Sequence, residues 1–385
     1  MIIILLSIAI SFFITYFTIP VIIFLSRYFN IYDLPDERKV HTRPVSSLGG
    51  LGIFAGLVMT PLLLVSFKQA AEFQFFIAAA ILIFFIGLKD DLLAISPVKK
   101  FAGQAIAALL IVYKGGIQIH SMHGFAGIYE LPESFSLLLS IITVIVIINS
   151  INLIDGVDGL AGSLVLMASV VLGFYFIKSG NPPYAVLSFS LAGSLIAFLL
   201  FNFQPAKIFM GDTGSLLIGT VISILLIKFI HVSASNISFH ITSGPAIGFS
   251  ILIIPLADTL RVFGLRIMHG RSPFSGDRNH IHHILLKLGF SHRMVTIILV
   301  GINVLFIGLA YFMRNMGNTY LLLAIISSFF LGVGILSWLN ARRNINKNIV
   351  TIKKVITMQK PEPKVIILNT ELLEEKEIYS LQQAE

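Results

Sequence analysis

The chain has no cysteine and a single tryptophan in 385 residues, and only 12% of it is charged. Without cysteine there is no disulfide, no thiolate nucleophile and no thiolate zinc site, and the redox compartment leaves no trace in the sequence. No internal repeat is visible, which argues against an inverted-repeat transporter. Acidic residues are scarce too, 19 Asp and Glu against 27 Lys and Arg, for a formal charge of +8. That surplus needs no nucleic-acid partner, because loops retained in the cytoplasm beside anionic headgroups accumulate the same charge. It also suits a di-anionic soluble substrate.

What fills the chain instead is hydrocarbon: 56% of it is hydrophobic and the mean hydropathy is +0.92. This predicts an all-α polytopic integral membrane protein, since a helix of about 20 apolar residues crosses the bilayer core. Eleven such runs are found, at 1–26, 48–67, 72–88, 100–119, 134–152, 160–178, 183–201, 213–231, 243–265, 294–312 and 319–339. The first lacks a basic start and a small-residue cleavage site, so it reads as a retained helix, with Pro20 expected to interrupt its hydrogen bonding. With the N-terminus outside and the C-terminus cytoplasmic, 22 of the 27 Lys and Arg fall on the inner side. Residues 1–340 then form the membrane domain and 341–385 a cytoplasmic tail. The tail mixes basic and acidic runs around Val365–Leu368, and docking on the membrane, docking on a partner and disorder all fit it.

The few carboxylates are not scattered. Of the 13 before residue 300, nine lie in five short polar clusters, all on the inner side in this topology. Ionisable groups kept together beside lipid usually mark a site. The outer connections carry no comparable motif, and His120, His123, His231 and His240 there read as incidental. One chemical face suits an enzyme better than a pore.

Asp90-Asp91 ends the third run, with Lys99-Lys100 opening the fourth. Adjacent carboxylates repel unless they share a cation, and Mg²⁺ takes one or two carboxylates while keeping water and phosphate; a solvated loop end accounts for the pair equally well. Asn149, Asn152 and Asp155 recur every three residues and so share one helical face, before Gly156, Asp158 and Gly159 turn the chain. Turn chemistry explains the Asp-Gly pairs but not the two asparagines. Phe209-Met-Gly-Asp-Thr-Gly-Ser215 sets one carboxylate between glycines at a helix start. Free N–H groups there attract phosphate, and an Asp or Thr N-cap is the competing account. His280-Ile-His-His283 follows Arg266, Arg271, Asp277 and Arg278. Phosphate binding beside the arginines, zinc binding and a loop lying on headgroups all fit it, with zinc the weaker because carboxylates favour a hard ion. Arg38-Lys-Val-His-Thr-Arg43 is a similar basic loop. Asp258 lies deep in the ninth run, one turn before Arg261. Acidic groups for Mg²⁺, basic groups for anions and an adjacent membrane together suggest phosphoryl transfer between a soluble donor and a lipid.

In family order, Asp33 to His41, Gly87 to Asp91, Asn149 to Gly159, Phe209 to Ser215 and Gly270-Arg-Ser-Pro-Phe with His280 to His283 resemble the polyprenyl-phosphate N-acetylhexosamine-1-phosphate transferases. The resemblance spans residues 1 to about 340. It implies an eleven-helix bacterial enzyme of the cytoplasmic (inner) membrane, with its active site facing the cytoplasm. Such an enzyme moves a sugar-1-phosphate, here most simply N-acetylglucosamine-1-phosphate, from a UDP-N-acetylhexosamine to polyprenyl (undecaprenyl) phosphate. It releases UMP and starts a surface polysaccharide such as lipopolysaccharide O-antigen. The cofactor implied is Mg²⁺, with Mn²⁺ as a substitute; a homodimer is compatible with the family. By motif, Asp212 and Asp91 hold the metal, and Asp90, Asp91, Asp155 and Asp158 are the catalytic carboxylates. Asn149, Asn152, Lys39, His41, Phe209, Arg271, Arg278, His280, His282 and His283 bind substrate. The sister branch acting on the muramoyl-pentapeptide donor usually has a Thr-Pro-Thr-Met-Gly-Gly type of loop where this chain reads Val45-Ser-Ser-Leu-Gly-Gly50. That branch, and more remotely an anion transporter, are the competing readings.

Overall fold

The computed structural model describes residues 2–32, 45–235, 239–270 and 279–358. Among them the chain runs α1 (Ile2–Tyr28), α2 (Gly49–Leu64), α3 (Phe73–Leu93), α4 (Pro97–Leu109), α5 (Glu133–Ile154), α6 (Leu160–Lys178) and α7 (Pro182–Asn202). It continues as α8 (Gly211–Ser235), α9 (Gly244–Ile251), α10 (Ile253–Met268), α11 (Ile281–Lys287), α12 (His292–Phe312) and α13 (Asn318–Met358). Seven of these helices are long and apolar enough to cross a membrane, and α9 with α10 make an eighth if the bent pair is one span. The protein is a multi-pass, all-α membrane protein. The other three expected runs are helical as well, but α2 has 16 residues and α4 has 13, while α3, with 21, carries Lys89-Asp90-Asp91 near its end. The chain divides into two compact units, Met1–Ser337 and Trp338–Glu385.

Helix α1 shows the inversion that lipid imposes. Its buried positions are Ser7, Ser11, Thr15, Ile19, Ile22 and Ser26, while Phe13, Phe17 and Phe24 are more than half exposed. Small polar residues let backbones approach closely where apolar contact with lipid costs nothing. Thr15 accordingly donates its hydroxyl to the Gly52 carbonyl at 3.1 Å, in α2, a contact worth about 0.6 kcal/mol in such settings. Pro20 sits inside α1, which stays helical to Tyr28. Helix α8 takes the opposite place. It packs against α2, α3, α5, α6 and α9, and 83% of its apolar stretch is buried against 22% for α1. The element carrying Asp212 is thus the centre of the bundle.

Three features depart from the straight runs expected. The run 243–265 is broken at Leu252, with an 84° angle between α9 and α10. Pro255 has no N–H for the Ile251 carbonyl, and buried Asn303 of α12 supplies the missing partners. Its amide donates to Ser250 O and Ile251 O at 3.2 and 3.0 Å, and its oxygen accepts from the Ile254 N–H at 3.3 Å. The run 100–119 ends early, α4 closing in a π turn at Leu110–Lys114, after which the outer connection folds into a hairpin of β1 (Ser121–Phe125) and β2 (Ile128–Glu130). Helix α13 extends past the expected 339 to Met358.

Candidate active site

The first turn of α8 is fixed by a carboxylate from another helix. Gly211 has φ +69°, and a Cβ there would lie 2.6 Å from Asp91 Oδ2, so both conformation and space require glycine. Asp91, near the end of α3, accepts from the Asp212 N–H at 2.8 Å and from the Thr213 N–H at 2.9 Å and hydroxyl at 2.5 Å. The anion-seeking helix start is therefore satisfied internally. The N–H groups of Asp212 and Thr213 are therefore not open to phosphate, which corrects the expectation for this helix start, and Asp91, which the resemblance placed beside a metal, caps α8. The glycines serve close helix contact. A Cβ on Gly50 would meet Gly214 Cα at 2.7 Å, and one on Gly87 would meet Thr213 Cα at 2.5 Å.

With its N–H tied down, Asp212 presents its carboxylate to α4 and α5. The Lys100 ammonium is paired with Asp212 Oδ2 and, at 3.1 Å, with Asp90 Oδ2. Asn152 donates to Asp212 Oδ1 at 2.6 Å and to Ser215 Oγ at 2.8 Å. Asp90 Oδ1 in turn accepts from the Ile95 N–H at 2.7 Å, which closes the turn between α3 and α4. Asn149 faces the same wall but pairs with Gln104, donating to its Oε1 at 2.7 Å. Of these groups Asp90, Lys100, Gln104, Asn149 and Asn152 line a cavity of about 210 Å³, together with Phe101, Leu153, Phe263 and Arg266. Polar groups of Asp90, Lys100, Asn152 and Arg266 beside the apolar Phe101, Leu153 and Phe263 suit the headgroup of an amphiphile.

Asp155 follows the last residue of α5, and among the described residues its carboxylate accepts no hydrogen bond. Burial pushes its carboxyl well above the usual range, and the charges of Asp212, Asp91 and Asp158 push the same way. Asp158 is held from α12 instead. The Asp158 N–H donates to His292 Nδ1 at 3.4 Å, its carboxylate lies 3.5 Å from the same nitrogen, and Thr296 donates to its carbonyl at 3.0 Å. Asn202 joins this loop to the next, accepting from the Gly159 N–H and donating to the Ile208 carbonyl, both at 2.8 Å. Phe209 belongs to that second strand of chain. Its N–H donates to Ser46 O at 2.7 Å and its carbonyl accepts from the Gly49 N–H at 2.9 Å.

The histidines are more enclosed than a loop lying on headgroups would be. His280 is 4% exposed and His282 1%. Their rings stack 5.6 Å apart and nearly parallel, with His283 tilted 4.3 Å from His282. His282 Nε2 would be 2.8 Å from a Cβ on Gly156, so the glycine beside Asp155 is what lets α11 approach. Burial, with the neighbouring His283 and His280, pushes the His282 imidazole down to about 3. Its Nδ1 is buried without a hydrogen-bond partner among the described residues.

The structure thus brings Asp90, Asp91, Asn149, Asn152, Asp155 and Asp212 round one centre, with Asp158 and the three histidines on its rim. Lys39, His41, Arg271 and Arg278 lie outside the described residues. Sequence reasoning set Lys100 near Asp90 and Asp91 and quoted Ser215 in its motif without giving either a role, and it missed Gln104 and His292. The i, i+3 step from Ser215 back to Asp212 and the histidine opening α12 were the available signals. Among the described residues no three His or carboxylate side chains form a ready-made metal cage. The Lys100 ammonium nevertheless occupies a cation's position between Asp90 and Asp212, in a set of hard oxygen donors.

Residues 73–230, the stretch from α3 into α8, match the family described as glycosyl transferase family 4. The chain is 32% identical to the decaprenyl-phosphate N-acetylglucosaminephosphotransferase of Mycobacterium tuberculosis, over 74% of this chain and 76% of that one. It is 32% identical to the undecaprenyl-phosphate alpha-N-acetylglucosaminyl 1-phosphate transferase of Haemophilus influenzae, over 77% and 83%. To the Pasteurella multocida enzyme of the same name it is 34% identical, over 70% and 75%. The matched stretch holds every carboxylate gathered round the α8 N-terminus, and the chain accordingly belongs to the polyprenyl-phosphate N-acetylglucosamine-1-phosphate transferase family.

Proposed function

We propose that this protein transfers N-acetylglucosamine-1-phosphate from UDP-N-acetylglucosamine to polyprenyl phosphate and releases UMP. A phosphate oxygen of the lipid attacks the sugar-bearing phosphorus of the donor. The bond from that phosphorus to the bridging oxygen breaks, and the electron pair leaves with UMP. The observation that carries this reading is the Lys100 ammonium held by Asp90 and Asp212 beside a cavity that Phe101, Leu153, Phe263 and Arg266 also line. The relatives' names, all N-acetylglucosaminyl phosphate transferases, favour this donor over the muramoyl pentapeptide.

In this reading Lys100 draws the lipid phosphate into the cavity while Phe101, Leu153 and Phe263 take the first isoprene units. Asp212 and Asp90 would hold Mg²⁺, for which one or two carboxylates suffice. When bound, the ion neutralises charge on the donor diphosphate. Asn152 keeps Asp212 turned to that position, and Asp91 keeps the helix beneath it still. Asp155, Asp158 and the histidines form the donor side. The orientation that fits is eleven crossings with the N-terminus outside, the site at the cytoplasmic face of the bacterial inner membrane and the tail in the cytoplasm. Its support is the placement of 22 of the 27 basic residues on that side.

The test is UMP release by the purified protein with polyprenyl phosphate, Mg²⁺ and UDP-N-acetylglucosamine, with EDTA and lipid-free controls. Release that needs both metal and lipid supports the proposal. Release only with the muramoyl-pentapeptide donor would move the protein to the sister branch, and silence with folded protein and a full donor panel would overturn the reaction.

A further inference from the structure

Among the described residues, Asp258 is the one deep carboxylate that the reaction above does not use. It lies on α10, 1% exposed, with four donors converging on it. The His280 ring presents Nδ1 to Oδ2 at 2.8 Å, and the Ile281 N–H reaches Oδ1 at 3.1 Å. Arg261, one turn along α10, donates to Oδ1 through Nη2 at 2.8 Å and Nε at 3.3 Å. The same guanidinium reaches on to the Asn279 carbonyl. One carboxylate–guanidinium pair therefore grips three consecutive residues, 279 to 281, where the chain returns to open α11.

A buried carboxylate this well satisfied has two readings. As a fold element it is poor value, since ion pairs removed from water are often no more stabilising than apolar residues of the same volume. As an orienting group it is well suited. A carboxylate only accepts, so the Nδ1 facing it must carry the hydrogen, and Nε2 becomes the atom left for a ligand. The ring so oriented stacks within 7° of His282, whose Nδ1 is buried and unpartnered. The two rings thus lie side by side, His280 held by Asp258 and His282 packed along it.

We propose that Asp258, clamped by Arg261, is a positioning residue that fixes the tautomer and direction of His280, beside which the His282 ring stacks, for binding the donor's diphosphate. This rests on the donor reading above. Asp258 touches no substrate; it acts through His280. The binding face so built is specific to the nucleotide-sugar, so the lipid substrate should not sense the change.

The experiment is a double-mutant cycle in the full-length protein, reading UMP release for KM and kcat of each substrate. Asp258→Asn retains an acceptor for the Ile281 N–H but sets an amide donor against Nδ1 and imposes the other tautomer. It is expected to lower kcat/KM for UDP-N-acetylglucosamine by about 10- to 100-fold, the usual cost of losing an orienting partner, with the KM for polyprenyl phosphate unchanged. His280→Gln should have a similar effect, and Asp258→Asn added to it should cost less than about two-fold more, because the two act as one unit. Multiplying effects, or an equal rise in both KM values, would mean Asp258 serves only the fold and would overturn the assignment. If Asp258→Asn does not yield folded protein, Arg261→Gln replaces it in the cycle with the same expected pattern. Wild-type protein that turns over no UDP-sugar overturns the donor reading and this one with it.

Discussion

Asp91 and Thr213 meet through two hydrogen bonds, N–H to carboxylate at 2.9 Å and hydroxyl to the same oxygen at 2.5 Å. With the third bond from the Asp212 N–H, a side chain of α3 supplies the cap that the sequence of α8 lacks. Asp91→Ala should lower the melting temperature in detergent, by an amount equivalent to about 1–2 kcal/mol, and disable turnover by freeing the first turn of α8. Thr213→Val keeps the backbone bonds and should cost about half as much. Equal stability of wild type and Asp91→Ala in thermal melts would rule out the capping role.

Lys100 stands between two carboxylates that would otherwise repel. Lys100→Met should leave Asp90 and Asp212 facing each other, lower the melting temperature in EDTA, and cut turnover by about 100-fold or more. Mg²⁺ should then restore more stability to the variant than it adds to wild type, since the ion takes over the neutralising task. Melts with and without Mg²⁺ test this. A smaller Mg²⁺ response in the variant would place the metal elsewhere.

Asp155 is costly to the unliganded fold. Its carboxyl is raised, so the charged form is disfavoured in the folded state relative to the unfolded chain. That cost is absent below the unfolded value of about 3.9 and grows as pH rises above it. In EDTA, Asp155→Asn should therefore be more stable than wild type at neutral pH, with the advantage fading toward about pH 4. Activity should fall by about 100-fold or more. A variant less stable than wild type at pH 7 would refute the account.

His282 titrates in the other direction. Its imidazole is pushed down to about 3, so the folded state holds it neutral while the unfolded chain protonates near 6.5. Stability tied to this ring is complete above about pH 6.5 and declines by about 1.4 kcal/mol per pH unit below it, until the folded value is reached. His282→Gln should flatten the acid side of the stability profile between about pH 6.5 and 4. An unchanged slope there would assign the acid lability to other groups.

Much of this site was legible in the sequence because lipid makes polar residues expensive. Asn152, Asp155 and Asp212 stood out against apolar runs, and the helical step already placed Asn149, Asn152 and Asp155 on one face. The glycines of Gly211-Asp-Thr-Gly214 were legible as residues but not as causes. Backbone freedom for a ligand and close helix contact leave the same letters, and only the position of Asp91 tells them apart. Lys100 was hidden by its place among loop charges that also set topology. The break at Leu252 was hidden because both arms stay apolar; Pro255 marked it, but the compensating Asn303 lies about 50 residues further along the chain. The hairpin after α4 escaped because its five- and three-residue strands carry no long alternation.

The 84° turn between α9 and α10 has a consequence for how the enzyme meets its membrane. Two rods so nearly perpendicular cannot both stand along the bilayer normal. Helix α10, about 24 Å long, carries Asp258 and Arg261 inward while Leu260, Ile267 and Met268 are left exposed. The direction of α10 is therefore set by its packing on α5 and by the Asn303 bonds at the break, not by continuation of α9.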